Sequence, residues 1–340
     1  MKRNGIVCAG SWVVDVIKTV DRWPDEETLS IIDSQTVRCG GPGQNMAIDL
    51  ARLGARFPIA AAARLGDDTH ADVIRESCRD HGIDSRGLLV SPGLPTGFTD
   101  VISVRGTGRR TFFYCEGAGG RLLPQDFDVA SSQARIFHLG APGIHGAMDQ
   151  PTADGGNGWV TVLRAAKALG FRTNMELVTL APERLVELVH PCLPLLDTLI
   201  VNDAEIGALG AERTVGRDGT DVSACRRAAR RLVDDHGLGL AVAHFPGGCI
   251  AEAVDVSLVM PSVDVPTEEV VGTNGAGDAF AAGVVFGLHD AWPLENALRL
   301  GHATAAASLR SLSTSESVDT AERCLALAER WGWRDLPDGA

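Results

Sequence analysis
Short apolar runs alternate along the chain with stretches whose apolar residues recur every three or four positions, the pattern of strands and one-sided helices. Residues 6–14 predict a buried strand that runs on through Asp15 to Val20 and stops at Trp23-Pro24. Residues 28–37 have weaker strand character, with polar residues interspersed. Met46, Leu50 and Leu53 then fall on one helical face with Ala47 and Ala51 beside them, and Gly54 is placed to end that helix. A strand at 59–63 leads to Gly66-Asp67-Asp68 and a helix running to Gly82. Strands at 134–139, 171–177, 196–201 and 238–244 follow, interleaved with helices at 159–169, 183–189 and 221–236. That rhythm predicts an α/β fold, a mostly parallel sheet with helices on its faces. Two stretches interrupt it. Residues 99–105 and 110–115 read as a hairpin around Gly106-Thr107-Gly108-Arg109, and with 28–37 they predict a small separate sheet. A turn at Phe245-Pro246-Gly247-Gly248-Cys249, strands at 250–254 and 258–265, and helices at 294–312 and 318–330 complete the pattern.

Composition narrows the class. Of 340 residues 45% are hydrophobic, enough for a sizeable core, and no apolar run approaches the roughly 20 residues that span a bilayer. The net charge of −13 repels nucleic acid and anionic membranes, so the expected partner is a small molecule. The 8 cysteines are scattered without a CxxC pair, which fits buried free thiols in a reducing cytoplasm better than a disulfide framework or metal knuckle. Arg226, Arg227, Arg230 and Arg231 mark the solvated face of their helix.

Chemistry concentrates in the stretch Val271-Gly272-Thr273-Asn274-Gly275-Ala276-Gly277-Asp278, which opens an apolar helix. A turn with little side-chain bulk at a helix start presents bare backbone N–H groups and the positive end of the helix dipole, a place for phosphate. An aspartate would be repelled by bound phosphate, so Asp278 calls for a role such as general base beside a transferring phosphoryl group. A second glycine-rich loop, Cys39-Gly40-Gly41-Pro42-Gly43-Gln44-Asn45, also opens a helix. Asn45 is either that helix's N-cap or a donor and acceptor for a sugar. Asp15, after the apolar run Trp12-Val13-Val14, is either a locally bonded strand-end residue or an acceptor of substrate hydroxyls. There is no GxxxxGK[ST] loop, GxGxxG turn, HExxH or GxSxG elbow.

These residues resemble the ribokinase-like (PfkB) carbohydrate kinases. Gly40 through Ala47 and on to Gly54, with Gly66-Asp67-Asp68 behind, is similar to that family's first signature. Thr273 through Phe280 is similar to the second, and Asn202-Asp203-Ala204-Glu205 resembles its NxxE element. The resemblance implies a three-layer αβα core with a mostly parallel central sheet and a small β-sheet lid from segments near 15–38 and 98–115. One kinase domain would span 1–334, followed by a polar tail at 335–340. It implies ATP-dependent transfer of the γ-phosphate to an alcohol group of a sugar or polyol, with Asp278 as base. Backbone N–H groups of Gly275, Ala276 and Gly277 would form the anion hole. Asp15, Gly41 and Asn45 would bind substrate. Asn202, Thr273, Gly247 and His302 would lie on the nucleotide side, and Glu205 with Asn202 would position hydrated Mg²⁺. The lid would exclude water, and its strands would pair two copies into a homodimer. Gly272 stands where the family usually has an aspartate at a monovalent-cation site, so that cation is not expected here. The TLGxxG nucleotide turn is replaced by His244-Phe245-Pro246-Gly247-Gly248.

Acceptor identity is left open. Asp15 and Asn45 suit any polyol. A sugar acid or sugar phosphate would need a cation, for which Arg105, Arg109 and Arg110 in the hairpin are candidates, and a nucleoside would need aromatic stacking on Trp12, Phe112 or Tyr114. A nucleoside kinase, or a non-catalytic small-molecule sensor on the same fold, is the alternative.

Overall fold
Alternating Cβ directions along the first strand split its residues between two cores, and that split sets the architecture of the computed structural model. The structure describes residues 3–106, 110–217, 219–337 and 339. In β1 (Ile6–Gly10), Ile6 and Cys8 pack into one apolar cluster while Val7 and Ala9 pack into another. The remaining strands of this sheet are β4 (Ile59–Leu65), β5 (Asp84–Val90), β8 (Ile136–Gly140), β9 (Arg172–Met175), β10 (Thr198–Asn202), β13 (Leu240–Phe245), β14 (Gly248–Ala253) and β15 (Val256–Pro261). Their order is β15-β14-β13-β10-β9-β8-β1-β4-β5. Every pairing from β5 across to β13 is parallel, and the last two are antiparallel hairpin pairings.

Helices cover both faces. The first cluster is closed by α1 (Pro42–Arg52), α2 (Thr69–Asp80), α7 (Ala276–His289), α8 (Leu294–Ser308) and α9 (Ala321–Trp331). The second is closed by α3 (Gly158–Ala168), α4 (Pro182–Val189), α5 (Asp203–Leu209) and α6 (Val222–His236). The result is the three-layer αβα sandwich expected of the rhythm. A two-stranded ribbon, β11 (Val215–Gly216) with β12 (Gly219–Thr220), sits between α5 and α6.

A second sheet stands apart, in the order β3-β2-β6-β7: β2 (Val13–Val20), β3 (Ile32–Gly40), β6 (Phe98–Val104) and β7 (Arg110–Cys115). The sequence reading of one strand from residue 6 to Val20 is corrected here. The run breaks at Ser11-Trp12, so β1 stays in the large sheet and β2 crosses into the small one. Gly10 makes the break possible: its φ is +106°, and a Cβ there would lie 1.6 Å from the Gly140 carbonyl oxygen. The weak strand at 28–37 begins later, at Ile32. Strand β5 was not anticipated, because its half-exposed residues lack the alternation of a buried strand. The helix expected at 294–312 ends at Ser308, and the chain after it turns back toward α7. The hairpin tip Thr107-Gly108-Arg109 lies outside the described residues.

Candidate active site
Parallel strands leave their carboxyl ends on one side of the sheet, and loops leaving those ends build the site. Residues at or just beyond the carboxyl ends of β1, β9, β10 and β13 line a cavity of about 540 Å³: Ser11, Glu176, Asn202 and His244 come from the sheet side. Gly275, Gly277 and Asp278 come from the start of α7, and Gly41 and Pro42 from the start of α1. Thr99, Phe112 and Tyr114 line it from the small sheet.

The two glycine-rich loops meet over this cavity. Gly275 precedes α7 with φ +77°, and a Cβ on it would lie 2.7 Å from the Thr314 side chain. A Cβ on Gly277 would lie 3.0 Å from the His244 ring. Gly275 therefore needs glycine, a side chain at Gly277 would crowd the His244 ring, and both glycines line the cavity with no side chain of their own. Asp278 sits in that first turn. Asn45 Nδ2, from α1, donates to Asp278 Oδ2 at 2.5 Å, and Thr314 Oγ1 donates to Asn45 Oδ1 at 2.9 Å. Asn45 is thus not the N-cap of α1: Gly41 holds that place, with φ +89° and no side-chain cap bond.

Asp278 has a second neighbour that the sequence reading passed over. Glu176, one residue beyond β9, is buried, lines the same cavity and is hydrogen-bonded to Asp278. Burial pushes the Asp278 carboxyl well above its usual range, and the Glu176 charge pushes it further. Burial likewise raises Glu176 to about 7, helped by Glu205 and Asp49. Two carboxyls in contact hold a proton between them near neutrality, so their titration belongs to the pair. His138 Nε2 lies 2.9 Å from Glu176 Oε2 but off the line of a hydrogen bond. The Asn174 amide lies 2.7 Å from His138 Nδ1, which accepts from it, leaving the ring proton on Nε2 toward Glu176. Burial lowers His138 to about 4, so the ring is neutral. Glu176 was visible in principle as a carboxyl at the carboxyl end of a buried strand; nothing local set it apart from a surface glutamate.

Asp15 is buried on β2, and a Cβ on Gly40 would lie 2.6 Å from its carboxyl carbon. Burial raises its pKa to about 6, against a hydrogen bond from Thr99. Asn202 and Glu205 form a capping box at the start of α5: Asn202 Oδ1 accepts from the Glu205 N–H at 2.8 Å, and Glu205 Oε2 from the Asn202 N–H at 3.1 Å. Thr179 Oγ1 donates to Glu205 Oε1 at 3.3 Å. Both residues line the cavity as well as capping the helix. Thr273 is exposed just ahead of Gly275 and Gly277, and its carbonyl accepts from the Ala276 N–H at 3.4 Å. Gly247 lies in the β13–β14 turn, its carbonyl bonded to the Ser262 N–H at 3.1 Å. His302 is placed elsewhere than the cavity wall: it is buried on α8, 4.8 Å from the Phe280 ring and 6.5 Å from Trp333. His244, on β13, is the histidine that borders the glycine turn.

A three-layer α/β core, a small second sheet over the cavity, and a carboxylate at a glycine-flanked helix start make up the arrangement. A family model described as pfkB family carbohydrate kinase matches residues 3–321, and the chain belongs to that family. It is 26% identical over 339 residues to a probable chloroplastic fructokinase-6 of Arabidopsis thaliana, covering 93% of this chain and 82% of that one. It is 23% identical over 338 residues to a 5-dehydro-2-deoxygluconokinase of Shouchella clausii, covering 96% of each. Among solved structures, a ribokinase from Thermotoga maritima superposes with a TM-score of 0.78 at 22% identity, covering 96% of this chain and 99% of that chain. Arabidopsis thaliana ribokinase complexed with ribose and ATP gives 0.77 at 20% identity, covering 97% and 99%.

Proposed function
We propose that this kinase transfers the γ-phosphoryl group of ATP to an alcohol group of a sugar or related polyol, with Asp278 as the general base. The observation that carries the reading is the Asn45–Asp278 hydrogen bond, which aims the carboxylate between an α1 loop suited to a sugar and the bare N–H groups of α7. Asp278 takes the proton of the attacking hydroxyl. The N–H groups of Gly275, Ala276 and Gly277 hold the charge that spreads over the phosphoryl oxygens. Asp15, Gly41 and Asn45 hold the acceptor's other hydroxyls. The raised Asp15 and Asp278 carboxyls accept or donate such bonds at little desolvation cost once a ligand replaces the missing water.

Among the described residues no cluster of three or more acidic, histidine or cysteine side chains forms a protein cage for a metal. A buried glutamate beside the cavity instead fits a magnesium ion that keeps most of its waters. Glu205 with Asn202 would hold such an ion through water, and when bound it supplies neutralising charge to the phosphates. No monovalent-cation site is proposed at Gly272.

The small sheet serves as a lid, its inner face over the cavity, and residues 1–334 work as one unit in the cytoplasm. Two copies pair through the lid's other face, where Phe113 is 54% and Trp23 50% exposed and their rings stack 6.3 Å apart. Phe112 and Tyr114 on the cavity wall favour one further reading, a nucleoside acceptor whose base stacks there.

ADP release measured across sugars, sugar acids, sugar phosphates and nucleosides tests the assignment. Asp278→Asn is expected to lower turnover roughly 10²–10⁴-fold while nucleotide binding survives. Near-normal turnover in that variant removes Asp278 from its role.

A further inference from the structure
The inner face of the lid carries two arginines, and among the described residues only one of them has an ion-pair partner. Strand register puts Asp15, Thr99 and Tyr114 in one row across the sheet, Ile17, Val101 and Phe112 in the next, and Thr19, Ser103 and Arg110 in the third. Residues directly opposite one another project to the same side, so Arg110, Phe112 and Tyr114 share the face that closes the cavity. Arg38 belongs to the same face, opposite Asp15, and its guanidinium is paired with Glu316 at 2.7 Å.

Arg110 is different. It is half-buried, and among the described residues no carboxylate lies within the 4.0 Å of an ion pair. Its Nη2 packs against Gly272, 3.0 Å from where a Cβ on that glycine would stand. Its charge is the smallest of the influences on Asp15, whose carboxyl burial still raises to about 6. The guanidinium therefore spans from the glycine turn ahead of the anion hole toward the hydroxyl-binding aspartate. Besides His244 and the Tyr114 phenol, the ionisable side chains lining the cavity are the acids Glu176, Glu205 and Asp278. The histidines are neutral, with burial holding His138 and His244 at about 4.

Gly272 matters for this geometry. A carboxylate side chain there would meet Arg110 and neutralise it internally, whereas glycine leaves the fork of donors free for a ligand. A partly desolvated guanidinium without an ion-pair partner costs free energy in the empty protein, and a bound anion relieves that cost.

We propose that the acceptor is an anionic sugar, and that Arg110 binds its carboxylate or phosphate group while Asp15 and Asn45 hold its hydroxyls. This rests on the sugar-kinase reading above and names the substrate class within it.

The test uses matched acceptors: a neutral sugar, its aldonate and its phosphomonoester. Two readouts are taken, ADP release with ATP saturating and thermal shift without ATP. The wild-type protein should prefer one of the two anions over the neutral sugar by about tenfold or more in kcat/KM, and which anion wins separates carboxylate from phosphate recognition. Arg110→Ala should lower kcat/KM for that anion about 10- to 100-fold through KM, with the KM for ATP unchanged, and should abolish the anion's thermal shift. Arg110→Lys should fall between, keeping charge without the fork. Gly272→Asp, which gives Arg110 an internal partner, should mimic Arg110→Ala for the anion.

Preference for the neutral sugar overturns the proposal. So does an Arg110→Ala effect that falls on the KM for ATP, which would put the guanidinium on the nucleotide's phosphate. If no acceptor releases ADP, the kinase chemistry fails by itself. The thermal-shift arm still decides whether Arg110 binds anions.

Discussion

Asp278 works within a group of side chains drawn from distant parts of the sequence. Asn45 is 233 residues away, Glu176 arrives on β9 and Thr314 on the turn after α8. The shared proton of Asp278 and Glu176 makes a prediction about pH. A base must be unprotonated to act, so turnover should fall as pH drops through the pair's titration near neutrality. Glu176→Gln removes the neighbouring charge that raises Asp278, so the acid limb of the kcat profile should move to lower pH. An unmoved limb would mean that Glu176 does not tune the base. The same pair affects stability, with the opposite sign to an ordinary ion pair. Glu176 binds its proton more tightly folded, at about 7 against 4.5 for a glutamate free in water. Between those values the native state holds more protons than the unfolded one, so stability is lost as pH rises through the window. Melting curves at pH 5 and pH 8 should therefore differ less for Glu176→Gln than for the wild type. At this scale the sequence displayed Asp278, Asn45, Asp15 and the glycines, because each sits in a local pattern with its own chemical logic. It concealed Glu176 and His138, whose significance comes only from what stands opposite them, and left Arg110 as one of three candidate cations in the hairpin.

At the scale of elements, α7 is the part whose composition is explained only by its surroundings. It is apolar nearly all round and buried along almost its whole length, so it must pack on every side rather than along one stripe. Its glycines permit this. A Cβ on Gly283 would lie 2.7 Å from the Gly301 Cα on α8, and one on Gly287 2.6 Å from the Ala297 Cβ. Close approach of these two backbones fixes the helix whose first turn holds Asp278. Gly283→Ala should cost about 1–3 kcal/mol of stability, read by chemical denaturation, although alanine is the better helix former. An unchanged or improved stability would mean that the two helices separate freely. The hydrophobic period identified most helices and core strands, since it reflects which residues face a sheet. Boundaries slipped where a tertiary contact ended an element, as at Gly10 against Gly140 and at Ser308 before the turn that carries Thr314.

At the scale of the whole molecule, the small sheet is committed on both sides. One face lines the cavity through Tyr114 and Phe112 and carries Arg110 on the same side; the other packs against α2 near its base, through the contact of Phe98 with His70, and further out exposes Phe113. A net charge of −13 disfavours casual association, so a dimer would need this apolar patch. Sedimentation velocity should give a dimer for the wild type and a monomer for Phe113→Glu, with unchanged circular dichroism in both. A monomeric wild type would leave the patch without a partner copy. No helix among the described residues is long and apolar enough to cross a membrane, and all eight cysteines are free.

What the amino-acid order determined by itself was the alternation of strand and helix, the two glycine-rich helix starts and the residue types within them. These are properties of neighbours along the chain: period, turn chemistry and the bareness of glycine backbone. Only the tertiary structure decided that the first apolar run would divide between two sheets, that Glu176 would share a proton with Asp278, and that Gly272 would leave room for Arg110. Each of those depends on distances across the sheet and the lid, where burial and the nearest charge set the chemistry of a side chain more strongly than its place in the sequence.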